Sequence, residues 1–541
     1  MKILTIARST LLLFALSAGC DEPSDSQPDD EEDSGDAGGH SPTRRDAGVD
    51  AAANEEPDDD AGSSIADAGK PRADSGSNGS DAGLAGNLVE SSDCPEVAGP
   101  GTDHSSDITG SETWTAESGP HYIKTNITVK GTLTIEACAI VILSKGVSVY
   151  IGSSSDAGKL ITKGIYEEET ATKPEVIKPV TITSGSEDEY WGMLFVSGMG
   201  EAEFNSTALI RGGDASAVST SRGGALVVRG PNDGTLRRMV TANLLLVMES
   251  GSFGITLESG AGFKDTATSS VLVQGTGRLP RPAGYGATFD PIYPVFVEPP
   301  GVGTLPPGSY YGSTEETFAE NDKILVVPRF AITVDEQFHE RGVPYLLMDT
   351  SFYMRPTTTA TLTIDPGVEL QFHHDAQSSN RIGMTLGDGA SVDPRPVKLN
   401  IQGTAEKPIV FTSASSAPAA GDWSGLYLAA SPSAGNKLAY ARVLYAGGES
   451  GTNSYGCGPK DNDSAILITD WRPDDAFIQN VEISDSAGGG IMSGWHSDAA
   501  GPDLKSGNTF SQIGNGCAVS RWQNATGLAC PNRTEEAPLC L

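Results

Sequence analysis

The sequence predicts an all-β, turn-rich body that carries an internal duplication, and three observations predict it. The first is composition: Gly 65, Pro 33 and only 6% aromatics in 541 residues suit many short strands joined by turns better than helices. The second is spacing. Apolar runs at 133–135, 147–151, 160–162, 180–182, 193–196, 209–210, 226–228 and 244–247 recur every 10–21 residues, separated by Gly, Ser, Asn and Asp clusters. The third is a phrase written twice, GTLTIEACAIVIL at 131–143 and ATLTIDPGVELQF at 360–372.

The runs alternate as strands do. Leu133 and Ile135 face inward, with Thr132 and Thr134 outward. The duplication extends well beyond one phrase. Leu133-Thr134-Ile135 answers Leu362-Thr363-Ile364, and Lys178-Pro179-Val180 answers Lys407-Pro408-Ile409, both at an offset of 229. In unbroken order, Trp191-Gly192-Met193-Leu194 answers Trp423-Ser424-Gly425-Leu426, and Gly212-Gly213-Asp214 answers Gly447-Gly448-Glu449. Ala225-Leu226-Val227-Val228 then answers Ala465-Ile466-Leu467-Ile468, and Asn243-Leu244-Leu245-Leu246 answers Asn480-Val481-Glu482-Ile483. The duplicated unit, about 120–270 against 343–510, is longer than one solenoid coil, so it holds several coils or a whole domain. A barrel or sandwich gives the same strand spacing.

The phrases LTIDPGVELQF, LNIQGTAEKPIVFTSAS and GDWSGLYL resemble those of right-handed parallel β-helix repeat proteins of bacterial surfaces. That resemblance implies a right-handed parallel β-helix, a solenoid duplicated internally, with interior apolar ladders and Gly or Asn at the bends. The expected organisation is a signal peptide at 1–19 and a lipid-anchored acidic disordered tether at 20–93. A first β-helix half follows at 94–274, then a Pro- and aromatic-rich connector with strands at 275–342. A second half with a Cys-rich cap occupies 343–541. Trp191 and Trp423 are expected to pack, with sugar stacking as the other reading.

At the N-terminus, Lys2 and Arg8 precede the apolar LLLFAL of 11–16, too short to span a bilayer, and Ser17-Ala18-Gly19 leads to Cys20. This resembles the lipobox of bacterial lipoproteins and implies that Cys20 is acylated. Ser17 stands where such families usually place an aliphatic residue. Residues 21–93 hold 21 Asp/Glu against Arg44, Arg45, Lys70 and Arg72, a net of −17, with Asp-Ala-Gly recurring and almost no large apolar residue. Such a segment cannot offset its chain entropy and is expected to be an extended spacer. The chain's formal charge of −35 disfavours nucleic acid as a partner.

Six further cysteines, Cys94, Cys138, Cys457, Cys517, Cys530 and Cys540, form no Cys-x-x-Cys and suggest disulfides in an exported body. Closeness in sequence favours Cys94–Cys138 and Cys530–Cys540, leaving Cys457–Cys517. Cys138 stands where the second copy has the turn glycine Gly367, so a staple to Cys94 would tie the body where the tether ends.

β-helix folds include pectin-degrading enzymes, but fold alone does not assign activity. The acidic clusters are Asp461/Asp463 and Asp470/Asp474/Asp475, without the Gly-His-Gly and Arg-x-Lys motifs of β-helix polygalacturonases. Asp461 and Asp463 are turn residues or Ca²⁺ ligands; no other cofactor is implied. His373 and His374, adjacent on a strand, would point to opposite faces. The expected function is that of a membrane-anchored, non-enzymatic lipoprotein of the outer membrane or cell surface. It would bind the membrane through its lipid and offer a scaffold for adhesion or polysaccharide binding. The alternative is a displayed polysaccharide lyase or hydrolase.

Overall fold

The computed structural model describes residues 93–95, 99–522 and 540–541. Within that span 168–169, 171–172, 174–175, 215–222, 234, 280–292, 313–320, 375–380, 389–395, 430–434, 452–461, 470, 496 and 498 fall outside the description. The segments expected as a signal peptide (1–19) and, up to residue 92, as a tether, with Cys20, Asp461, Cys457 and Cys530, lie outside the described residues.

The body is a parallel β-helix. Each strand pairs in parallel with the strand one coil away; the exceptions in sequence order are the hairpin Ile165–Glu167/Val176–Lys178 and two isolated antiparallel bridges. Four ladders organise it. Ladder I contains Ser111–Trp114, Thr132–Glu136, Lys159–Lys163, the first parts of Glu201–Ile210 and Arg237–Met248, and Ala261–Phe263. It resumes with Glu336–Phe338, Ala360–Ile364, Val397–Gln402 and the first parts of Lys437–Leu444 and Ile478–Ser486. Ladder II runs from Thr102–His104 through His121–Ile123, Ile140–Leu143 and Val180–Ser184 to Ser270–Gln274 and Gly308–Tyr311. Ladder III runs nearly the whole length, from Ile127–Val129 through Ile255–Glu258, Val295–Val297, Ile324–Val326, Tyr345–Leu347, Glu369–Phe372 and Ile409–Ser413 to Thr509–Ile513. Ladder IV holds Phe352–Met354, Met384–Leu386, Leu426–Ala429, Ser464–Thr469 and Gly489–Gly494.

Residues 275–342, expected as a connector with strands, supply rungs of ladders II, III and I, so both halves belong to one stack. Between Ala261–Phe263 and Glu336–Phe338, ladder I is carried by the 3-10 turn Val302–Thr304. There Thr304 Oγ1 accepts the Phe263 N–H at 3.1 Å. The buried Glu336 carboxylate accepts the N–H of Gly301 and Gly303, each at 3.1 Å. These side-chain bonds replace the strand ladder that the turn cannot make. Burial raises the Glu336 carboxyl above its usual range, the four backbone donors Gly303, Gln337, Gly301 and Val302 only partly opposing this.

The two copies enter this stack differently. In the first half each coil visits ladders I, II and III; in the second it visits I, III and IV. The equivalent strands Val180–Ser184 and Ile409–Ser413 thus lie in ladders II and III, and Leu194–Ser197 and Leu426–Ala429 lie in III and IV. The second copy is advanced by one ladder. The step falls after Glu336–Phe338, where six residues lead directly to the ladder III strand Tyr345–Leu347 and leave no room for a ladder II strand.

Local geometry repeats all the same. Non-glycine residues with left-handed φ sit at Ser206, Arg211, Leu244 and Glu249 in one half and at Tyr440, Tyr445, Asn480 and Asp485 in the other. Register pairs Asn205 with Asn243 and Ala439 with Gln479 on either side of these bends, so Leu244 is the structural counterpart of Asn480. The sequence alignment that set Asn243 there is off by one, because its similarity was carried by the apolar residues that follow. Trp191 Nε1 donates to the Ile210 carbonyl and Trp423 Nε1 to the Leu444 carbonyl, both at 2.7 Å and both just before a left-handed residue.

One apolar core runs through the stack, from Ile108 and Trp114 to Leu504 and Val519. At its start Trp114 stacks on His104 (ring centroids 4.0 Å apart) and lies 5.1 Å from His121. At its other end Val519 bridges Ile491, and Cys540 pairs antiparallel with Ser520. That pairing carries Cys540 to Cys517, with Cα atoms 5.4 Å apart and a disulfide between them. The sequence-proximity pairing of Cys530 with Cys540, and hence of Cys457 with Cys517, is corrected: the returning tail, not nearness in sequence, chooses the partner. Cys94 is bonded to Cys138, Cα–Cα 5.4 Å, and packs with Ile140 and Ile142. Cys138 holds φ 66° where Gly367 holds φ 92°, so the first copy keeps a glycine-type bend with a side chain attached.

Candidate binding surface

In a β-helix the outward residues of each ladder form a long stripe, since i and i+2 share a face and coils repeat every ~4.8 Å. The stripes differ in chemistry. Outward residues of ladder II (Ile140, Ile142, Ala208, Ile210, Leu246, Leu272) are apolar and buried. So are Phe296, Leu325 and Leu346 on ladder III and Tyr427, Leu467 and Met492 on ladder IV. Ladder I is mostly polar, with Ile161 an apolar exception, and ladder III joins it from Glu369–Phe372 onward, with Glu369, Gln371, Thr412, Arg442 and Glu482 outward beside Val410.

In the first half these polar groups satisfy one another. Lys163 pairs with Glu136 at 2.8 Å, Lys264 with Glu201 at 2.8 Å and Lys159 with Glu203 at 3.7 Å. Asn243 Nδ2 donates to Asn205 Oδ1 at 2.8 Å, and Thr266 Oγ1 donates to Asn243 Oδ1 at 2.7 Å.

In the second half the stripe carries Gln337, His339 and Arg341, then Thr361, Thr363 and Asp365, then Lys398, Asn400 and Gln402, then Lys437. Asp365 accepts from Gln337 Nε2 at 3.0 Å and contacts His339 Nδ1 at 2.8 Å. Burial raises the Asp365 carboxyl, but His339, Gln337 and the Arg341 charge outweigh it and hold the group below its usual range. Arg341, lowered by burial, donates to the Leu305 carbonyl at 2.8 Å and makes no ion pair among the described residues. Lys398 and Lys437 are exposed and also make none. Further along, Arg442 and Glu482 form a two-bond pair at 2.8 and 3.1 Å that raises the former and lowers the latter.

The residues singled out from sequence fare differently. Asp463 is buried, and its Oδ1 accepts the Ser450 N–H at 3.0 Å and hydroxyl at 2.8 Å, anchoring a loop. Its proposed companion Asp461 lies outside the described residues. Among the described residues no group of three or more His, Cys, Asp or Glu is gathered as a metal site requires. Asp474 is 96% exposed beside Arg472, and Asp470 lies outside the described residues. His374 reaches Asp422 at 3.3 Å, while Asp422 also accepts the Ser413 hydroxyl at 2.6 Å. Trp191 and Trp423 are fully buried and committed to backbone carbonyls, so neither is a sugar platform.

The polar stripe was missed because its members are 25–40 residues apart in sequence. Its signal is Lys398, Asn400 and Gln402 at every second place of one strand.

Residues 342–472 match a family model described as pectate-lyase like beta helix domain. No curated protein and no solved structure matches the chain. Over the greater part of its second half, the chain is therefore similar to a pectate-lyase-like β-helix domain.

Proposed function

We propose that the protein is a lipid-anchored cell-envelope protein whose β-helix binds a polysaccharide or related cell-surface ligand along the second-half stripe of ladder I, without cleaving it. Cys20 would carry the anchor and residues 21–93 the acidic spacer. One observation supports the binding role above the rest: the outward side of ladder I is mostly polar, and its second half carries Lys398 and Lys437, exposed and without an ion pair among the described residues, on an acidic protein. Donors at coil spacing suit the hydroxyl and ring oxygens of an extended glycan.

The test is a glycan panel with the full chain and the Lys398→Ala/Lys437→Ala double variant. Binding by the parent and a loss of about tenfold in the variant, the size expected for losing two hydrogen-bonded cations, supports the reading. Unchanged binding overturns it. In cell fractions Cys20→Ala is expected to leave the membrane; retention there would remove the anchor.

A second reading, a polysaccharide-active enzyme, has one observation in its favour. Asp365 orients His339 on the same open stripe, an arrangement suited to a general base. Shortened glycan products that disappear in His339→Ala would replace the binding-only account.

A further inference from the structure

At the N-terminal end of the stack, ladder II begins with two short parallel strands, Thr102–His104 and His121–Ile123. Alternation splits their side chains. His104 and His121 turn inward and stack with Trp114. Asp103 and Tyr122 turn outward as register neighbours, and Ile142 follows Tyr122 in the next coil. The outward side opens into a cleft of ≈ 790 Å³, whose lining includes Lys124, Ser144, Ser186 and Glu189.

We infer that this cleft is a second glycan subsite, taking a neutral or amino-bearing sugar of one or two rings. The inference deepens the polysaccharide-binding reading and rests on it.

Three features carry it. Tyr122 and Ile142 give the cleft an aromatic and aliphatic floor, the surface on which the C–H face of a pyranose packs. Gly101 belongs to the same wall, and a Cβ there would come within 2.5 Å of the Tyr122 ring; only glycine lets the chain pass so close to that ring. The remaining wall is polar, with the Ser144 and Ser186 residues, the Asp103 and Glu189 carboxylates as acceptors, and Lys124 as a donor. Lys124 is already held by Asp103 at 2.8 Å and sits 5.6 Å from the Tyr122 ring centre.

Charge selects among sugars. Two carboxylates face one ammonium that is already paired, on a chain of formal charge −35, so uronates and sulfated sugars are repelled. Neutral sugars are accepted, and an amino group gains attraction from Glu189. The volume falls within the usual range for small-ligand sites, about 300–1,000 Å³.

The experiment is calorimetric titration of the full chain with neutral, amino-bearing and uronate disaccharides. It is repeated with Tyr122→Ala, Tyr122→Phe, Glu189→Gln and the Lys398→Ala/Lys437→Ala double variant, each checked by circular dichroism for unchanged melting. Neutral and amino sugars are expected to bind the parent and uronates not to. Tyr122→Ala is expected to weaken binding about tenfold while Tyr122→Phe retains it, the mark of ring stacking. Glu189→Gln should remove the preference for amino over neutral sugar. Binding insensitive to Tyr122→Ala but lost in the double lysine variant overturns the cleft and leaves the ladder I reading standing. Binding lost in Tyr122→Ala but kept in the lysine variant keeps the cleft and overturns the ladder I stripe. No binding by the parent overturns both.

Discussion

In the first half, the strand that follows ladder I enters ladder II; in the second half its sequence counterpart enters ladder III. Yet the tryptophan anchors and left-handed bends are reproduced in both. A half is therefore a locally consistent unit that can be set on the rung beneath it at more than one angular position. The setting is made outside the repeat, where Glu336–Phe338 leads straight to Tyr345–Leu347. The halves also differ in surface chemistry. The first ties its outward charges into pairs across coils, whereas the second keeps Lys398 and Lys437 free of ion pairs.

The largest expected effects test the structural equivalence. Trp191→Ala and Trp423→Ala should each cost about 3–5 kcal/mol by urea denaturation, since each removes a fully buried indole and its hydrogen bond. A loss confined to one of them would mean that the counterparts are not equivalent.

Next come the unequal bends. Breaking Cys94–Cys138, which closes a sequence separation of 44, should cost about 4 kcal/mol on loop-closure grounds. In a Cys94→Ser background, Cys138→Gly should be about 1 kcal/mol more stable than Cys138→Ala, because φ 66° suits glycine. Gly367→Ala should cost a similar ~1 kcal/mol at the matching bend. Thermal melting reports both.

A pH effect of two buried histidines should appear at the N-terminal end of the stack. His121 Nε2 donates to the Thr115 carbonyl at 3.0 Å, so its Nδ1 accepts from His104 Nε2, also at 3.0 Å. Burial depresses both imidazoles below the ordinary 6.5; at His104 the neighbouring His121 adds to this and Glu112 and Asp103 oppose it, while at His121 the Thr115 bond opposes it. A depressed histidine means that the folded state binds fewer protons than the unfolded state. Its stability is thus complete above 6.5 and falls as pH drops below that value. Protection factors for 102–123, with the intrinsic pH dependence of amide exchange divided out, should fall below pH 6.5 while those for 396–429 hold. An equal fall in both segments would contradict the assignment.

The smallest effect belongs to the surface pairs. Lys163→Ala should cost ~0.5 kcal/mol or less, diminishing further with added salt.

The strands and the duplication were legible in sequence because in/out alternation and turn residues are local signals, whereas the parallel stacking was implied only by the resemblance of LTIDPGVELQF and its companion phrases to β-helix repeats. Leu133/Ile135 and Leu362/Ile364 occupy the inward places that their spacing assigns. The one-ladder advance was not legible. It depends on which rung a coil lands upon, a long-range outcome with no local signature. The 275–342 segment read as a connector because its prolines and glycines mask a ladder maintained partly by the Glu336 and Thr304 side chains. The polar stripe and the Tyr122 cleft were hidden for a related reason. Each is assembled from single residues on successive coils, so no contiguous motif records it.

One measurement tests the central claim most directly: glycan titration of Lys398→Ala/Lys437→Ala beside Lys159→Ala/Lys163→Ala, on the same full chain. The account predicts weakened binding in the second-half variant, where the lysines are unpaired, and unchanged binding in the first-half variant, where carboxylates already hold them. Equal loss in both, or no loss in either, would contradict it.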